Sequence, residues 1–159
     1  MFGIKFIYLL IGAHAGFGEL AGLFFLWALV EVINDAPRGL ERAKTAALWG
    51  IVFAFVSWIS AGYYYTQHYG SIVKPLILAG PIPWAHLVML ETKEHVFIFI
   101  PVLALAGYRA VKGLGTDNGK QLQAATKWLL GLIALLCFVM AGMGYFVSLA
   151  VRLSSGGAA

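Results

Sequence analysis

Four long apolar runs determine what this chain can become. A bilayer core takes about 20 residues of helix to cross, and the stretches near 6–34, 46–65, 84–108 and 128–151 of the 159 residues meet that length. Turn formers and polar residues separate them: Asp35-Ala36-Pro37-Arg38-Gly39, a loop with three prolines at 69–83, and a polar segment from Lys112 to Gln123. Short connections make successive helices antiparallel neighbours. The expected fold is an all-α integral membrane protein, one domain over 1–159, with four helices running up-down-up-down and a free tail at 154–159.

Composition supports lipid as the solvent. Residues of the AVILMFWYC set make up 61% of the chain and charged ones 11%, against about 45–50% and about 25% in soluble domains. A soluble domain of this size hides only about 70% of its chain surface. These numbers also exclude a disordered chain, a nucleic-acid binder and a disulfide scaffold, and Cys137 is the single cysteine. The net charge of +4 is read as topology. Arg38, Arg42, Lys44, Arg109, Lys112, Lys120 and Lys127 fall in the 1–2 and 3–4 connections, against Lys5, Lys74 and Arg152 on the other side. The positive-inside rule then puts both termini outside a bacterial cytoplasmic (inner) membrane. Lys5, the apolar run after it and Ala13-His14-Ala15 imitate a secretory signal, but the run continues well past that point and reads as an uncleaved first span.

The loop from Tyr69 to Pro83 is too apolar to be freely solvated. It is expected either to lie in the interface as a plug between the second and third spans, or to wall a pocket for a quinone. Pro101 is expected to kink the third span without ending it, and Trp84 and Tyr63 to Tyr65 fit an interfacial aromatic belt.

Ionisable groups inside spans are costly and mark functional sites. Here they are His14 and Glu19 in the first span and Glu91-Thr92-Lys93-Glu94-His95 in the third. At about 1.5 Å per residue, His14 and His95 fall at matching depths, roughly 12–16 Å from the outer ends of their helices. Two histidines at one depth on facing helices suit bis-imidazole ligation of a haem iron. Small neighbours (Gly12, Ala13, Ala15 and Gly16, with Ala141, Gly142 and Gly144 in the fourth span) would admit a flat macrocycle or serve plain helix packing. His68 and His86 flank the outer loop and are weaker candidates, as solvated interfacial histidines, as ligands of a second outer cofactor, or as propionate and proton contacts of the first. Met140 and Met143 lie near the same level and are expected to be packing residues rather than axial ligands.

Glu91, Glu94 and His95 share a helical face by their i, i+3, i+4 spacing. Because lipid contact would be expensive, that face is expected to look into the bundle, with Lys93 turned away to snorkel or to pair with Glu19. Glu91 and Glu94 are candidate proton acceptors in quinol oxidation. With His14 and His95, either one would also suit a single iron, copper or zinc ion. A di-iron site lacks carboxylates from the second and fourth spans.

In architecture the pattern resembles small membrane b-type cytochromes, four-helix bundles with histidines on facing helices. The resemblance implies haem b and electron transfer, with quinone as a partner. Two alternatives stand beside it: a non-haem metal-binding or proton-conducting polar cluster, and an accessory subunit of a larger respiratory or photosynthetic complex. Whether the chain turns over a substrate is left open.

Overall fold

The computed structural model describes residues 2–117 and 119–156, with side chains from Lys5 onward. Its regular elements are all helical among these residues. Helix α1 is Phe2–Asn34 and α2 is the continuous helix Gly39–Leu78. The expected third span is split into α3, Ala85–Phe97, and α4, Ile100–Gly113, with a bend of 42° between them. Helix α5 is Gly119–Ser154. By length and composition α1, α2 and α5 can each cross a membrane, and the bent pair makes up to a fourth span.

The second helix departs from expectation. It takes in most of the expected loop at 69–83 and leaves only Ala79 to Trp84 as a connection. Pro75 does not stop it, because the chain turns π-helical over Tyr65–Val73 and resumes as a last α-turn at Lys74–Leu78. Pro75 then stands in the first turn of that segment, where a missing N–H costs least. At about 1.5 Å per residue, 40 residues of helix approach 60 Å, so α2 outruns a 30 Å core at one or both ends.

Pro101 marks a break rather than a kink. A proline N cannot bond the carbonyl four residues back, so the helix stops at Phe97 and restarts with Pro101 in the first turn of α4. The Leu103 N–H picks up the Phe99 carbonyl at 2.9 Å. At the other end of the chain Ser154 still belongs to α5, while Ser155 and Gly156 form a turn. Ser154 packs so closely under Gly80 that a β-carbon there would collide with its hydroxyl. The rest of the expected tail, 157–159, lies outside the described residues.

Helices α1, α2, α4 and α5 close a ring at the end that carries the two basic connections, here called the basic end. Phe25 of α1 is fully buried there among Ala28, Ala47, Ala104, Leu130 and Ile133. Gly50 makes that possible, since a β-carbon on it would lie 2.8 Å from Phe25 Cε2. The α1–α2 turn is clamped by Arg42, which donates from Nε and Nη2 to the two oxygens of Glu31, both at 2.7 Å. Trp27 Nε1–H adds a third bond to the same carboxylate. A second, smaller cluster of Tyr69, Val73, Ile77, Ala85 and Ala150 closes the end that carries both termini, the terminal end.

Candidate functional site

His14 is fixed by α2. Ser57 is 1% exposed, and its hydroxyl donates to the His14 carbonyl at 2.8 Å. That uses the one hydroxyl proton, so Ser57 Oγ must accept from His14 Nδ1, 2.9 Å away. The bond sets the tautomer: Nδ1 carries the proton and Nε2 keeps its lone pair. No hydrogen bond among the described residues engages Nε2. Gly18 makes room for this contact, since a β-carbon there would lie 3.1 Å from Ser57 Oγ.

His95 reaches the same tautomer by another route. Its Nδ1 lies 2.6 Å from the Glu91 carbonyl one turn back, and a carbonyl only accepts. The two histidines nevertheless do not face each other. The Phe97 ring stands across from His14, edge to face at 5.1 Å between centroids. Residues 95 and 97 lie on opposite sides of a helix, and His95 is exposed.

The charged face of α3 is turned the other way from the expectation. Glu91 and His95 are exposed and Glu94 is half-buried. Lys93 points inward, its Nζ 2.9 Å from where a β-carbon on Gly144 of α5 would be. The reason lies at the start of α3, where Ala85–Leu90 is π-helical and shifts the phase of the residues after it. The apolar stripe through Phe97, Ile100, Ala104 and Val111 then holds the inner face. Lys93 is tolerated there because its long stem is apolar and glycine leaves space for its head. It makes no ion pair with Glu19, which is itself exposed on α1.

His86 and Tyr69 were not expected to meet. The Tyr69 hydroxyl lies 3.0 Å from His86 Nδ1, and both residues are buried, at 2% exposure for Tyr69 and 1% for His86. His86 Nε2 stands 3.7 Å from Glu91 Oε1, too far for a hydrogen bond. Both His86 Nε2 and Glu94 Oε1 are buried without a partner. The clue in the sequence was a histidine in the first turn of a span after a stretch too apolar to be a loop. His68 is elsewhere: it leans on Tyr64, ring centroids 5.6 Å apart, and lines a hollow with Phe6, Leu10 and Gln67.

The glycines sort into two kinds. Gly18 and Gly22 pack helices, the latter with a β-carbon position 2.9 Å from Cys137 Cβ. Gly12, Gly16 and Gly142 have nothing within 4 Å of that position. Met140 is buried in the core and Met143 packs against it, as expected of packing residues. No group of three or more His, Cys, Asp or Glu lies close enough together to hold a metal ion among the described residues.

No family model, curated protein or solved structure matches the chain. The functional reading therefore rests on these contacts alone.

Proposed function

We propose that the chain is a membrane-embedded electron-transfer protein of the b-type cytochrome kind, in a bacterial cytoplasmic membrane with both termini outside. One observation carries the reading: His14 sits within a span with Nδ1 bonded to Ser57 and Nε2 left free. Iron-binding histidines are oriented in this way, the second nitrogen donating to a neighbouring oxygen so that the first presents its lone pair. His95 is in the same tautomer and would be the second ligand. For one iron to take both, the Glu91–Phe97 segment must turn until His95 replaces Phe97 opposite His14. That segment is bounded by the π-helical stretch before it and the 42° break after it, the two places where a helix turns most easily. Bound haem supplies one-electron exchange between ferric and ferrous iron. Glu91 and Glu94 would accept the two protons that a quinol releases as its two electrons leave one at a time.

The test is haem content. Chains purified from haem-replete membranes should carry about one haem each, with none on His14→Ala or His95→Ala and no loss on His68→Ala. Two haems per chain, halved by His68→Ala or His86→Ala, would assign the second site to that pair. Full occupancy in the His14→Ala protein would refute the assignment.

A second reading, an accessory subunit in a larger membrane complex, is favoured by the exposure of Glu19, Glu91 and His95 within spans. Such groups seldom face lipid. Cross-linking in native membranes from a cysteine at Glu19 should capture a neighbouring subunit if this reading holds, and only lipid if it does not.

A further inference from the structure

A hollow of about 200 Å³ lies in the seam between α1 and α2, toward the terminal end. Phe6 and Leu10 line it from α1, and Tyr63, Tyr64, Gln67 and His68 from α2. An apolar cavity of about 150 Å³ already takes a benzene ring, so one six-membered ring fits. Phe6 and Tyr63 meet edge to face at 5.9 Å. Each is about half exposed, so the hollow opens outward between the two helices. Inside, the Tyr64 ring leans on His68. No hydrogen bond among the described residues engages the His68 ring, the Gln67 amide or the hydroxyls of Tyr63 and Tyr64. Ser71 reaches the His68 carbonyl and not its ring. Apolar walls with a few free polar groups are the common make-up of a small-molecule site. Among the described residues no lysine or arginine lines the hollow to hold a phosphate, and an acyl chain would leave four polar groups unused. A flat ring with an oxygen at each end would use both the walls and the polar groups.

We propose that this hollow binds the ring of a membrane quinone, reduced or oxidised. One ring oxygen bonds to the His68 imidazole and the Gln67 amide, and the ring lies against Tyr64. His68 suits both forms, because a neutral imidazole accepts from a quinol hydroxyl or, in its other tautomer, donates to a quinone carbonyl. The apolar tail leaves through the opening between Phe6 and Tyr63. Binding itself moves no electron and no proton. The place suits the reading above. Leu10 stands one turn, about 6 Å, along α1 from His14, and Tyr64 two turns, about 10 Å, along α2 from Ser57. Tyr65, the next residue, has Glu94 for a neighbour. A ring held here lies near the proposed haem ligand and at the level of a proposed proton acceptor.

The inference rests on quinol as the electron donor, and not on which histidines hold iron. It is tested by photolabelling the full chain in phosphatidylcholine vesicles with an azido-benzoquinone that carries a short apolar tail. Mass spectrometry then maps the label, which should fall within residues 6–10 and 63–68 and be displaced by unlabelled decylubiquinone. Leu10→Trp fills the hollow and should abolish that labelling. His68→Leu removes a hydrogen-bond partner and should raise the half-displacing concentration by about tenfold. Circular dichroism should show wild-type helix content in both variants. Label spread over the lipid-facing surface, or label that decylubiquinone does not displace, would overturn the proposal from the wild type alone. So would unchanged labelling and displacement in both variants. Displaceable label here on a chain without haem would leave the ring site standing without the cytochrome reading, and haem without such label would do the reverse.

Discussion

Ser57 and His14 hold each other twice. The serine hydroxyl donates to the histidine carbonyl at 2.8 Å and accepts from its ring at 2.9 Å. One side chain thus ties α2 to α1 and fixes which nitrogen of the His14 imidazole remains free. A lone serine in an apolar helix would otherwise bond back to its own turn, as Ser60 does to the Val56 carbonyl.

Ser57→Ala should therefore weaken haem binding without removing a ligand. Loss of a bond of this kind typically costs about 10- to 100-fold in affinity. Titration of haem into the apo-protein checks it, with Ser60→Ala as a control that should bind as the wild type does. Equal affinity in Ser57→Ala and wild type would mean that the bond serves packing alone.

The tight end of the bundle makes a separate prediction. Gly50→Ala drives a methyl group to 2.8 Å from the Phe25 ring, which is fully buried and has nowhere to move. Overpacking of this kind costs about 1–3 kcal/mol. Gly12→Ala meets nothing within 4 Å and should stay within about 0.5 kcal/mol of wild type. Thermal or denaturant unfolding in detergent ranks the two.

How far the sequence was legible depends on which physical signal each feature left. The helices are plain in the apolar runs, whose length and composition suit a membrane crossing whatever the packing. The clustering of polar groups in the first and third spans is plain for the same reason, and His14 stands out as an imidazole within an apolar helix. The inner face of α3 is not. The cost of lipid contact puts Glu91, Glu94 and His95 inside, but the π-helical start of α3 shifts the phase and leaves Glu91 and His95 exposed. The recurrence Leu90, Phe97, Ala104, Val111 already carries the answer, since it marks Phe97 as inward and so His95 as outward. Pro75 misleads in another way. Three prolines within 69–83 read as a loop, whereas only Pro81 and Pro83 fall in the connection. Ser57 leaves no signal at all, because nothing in an isolated serine says which helix it will face.

Topology can be tested at two exposed positions of α2. Ser71 lies near its terminal end and Thr45 near its basic end, and the helix is long enough for both to clear the bilayer core. A membrane-impermeant thiol reagent added outside intact cells should modify Ser71→Cys and spare Thr45→Cys. The buried Cys137 should not interfere. The reverse labelling pattern would place the basic connections outside, against the positive-inside rule.

Quinol oxidation needs a base for the released protons. Glu94→Gln keeps the shape of the side chain and removes only its charge. Reduction of the bound haem by a soluble quinol analogue should then slow by about 10²-fold or more, with haem content unchanged. Loss of haem in this variant would instead make Glu94 part of the cofactor site, and an unchanged rate would exclude it as the acceptor.

The central claim is that His14 binds haem iron. Its most direct measurement is the dithionite-reduced minus oxidised visible spectrum of the purified full-length chain, beside that of His14→Ala. The wild type should show the sharp α band of a six-coordinate b-type haem and the variant no band. A wild-type protein without the band, or a variant that keeps it, would mean that His14 does not bind haem iron.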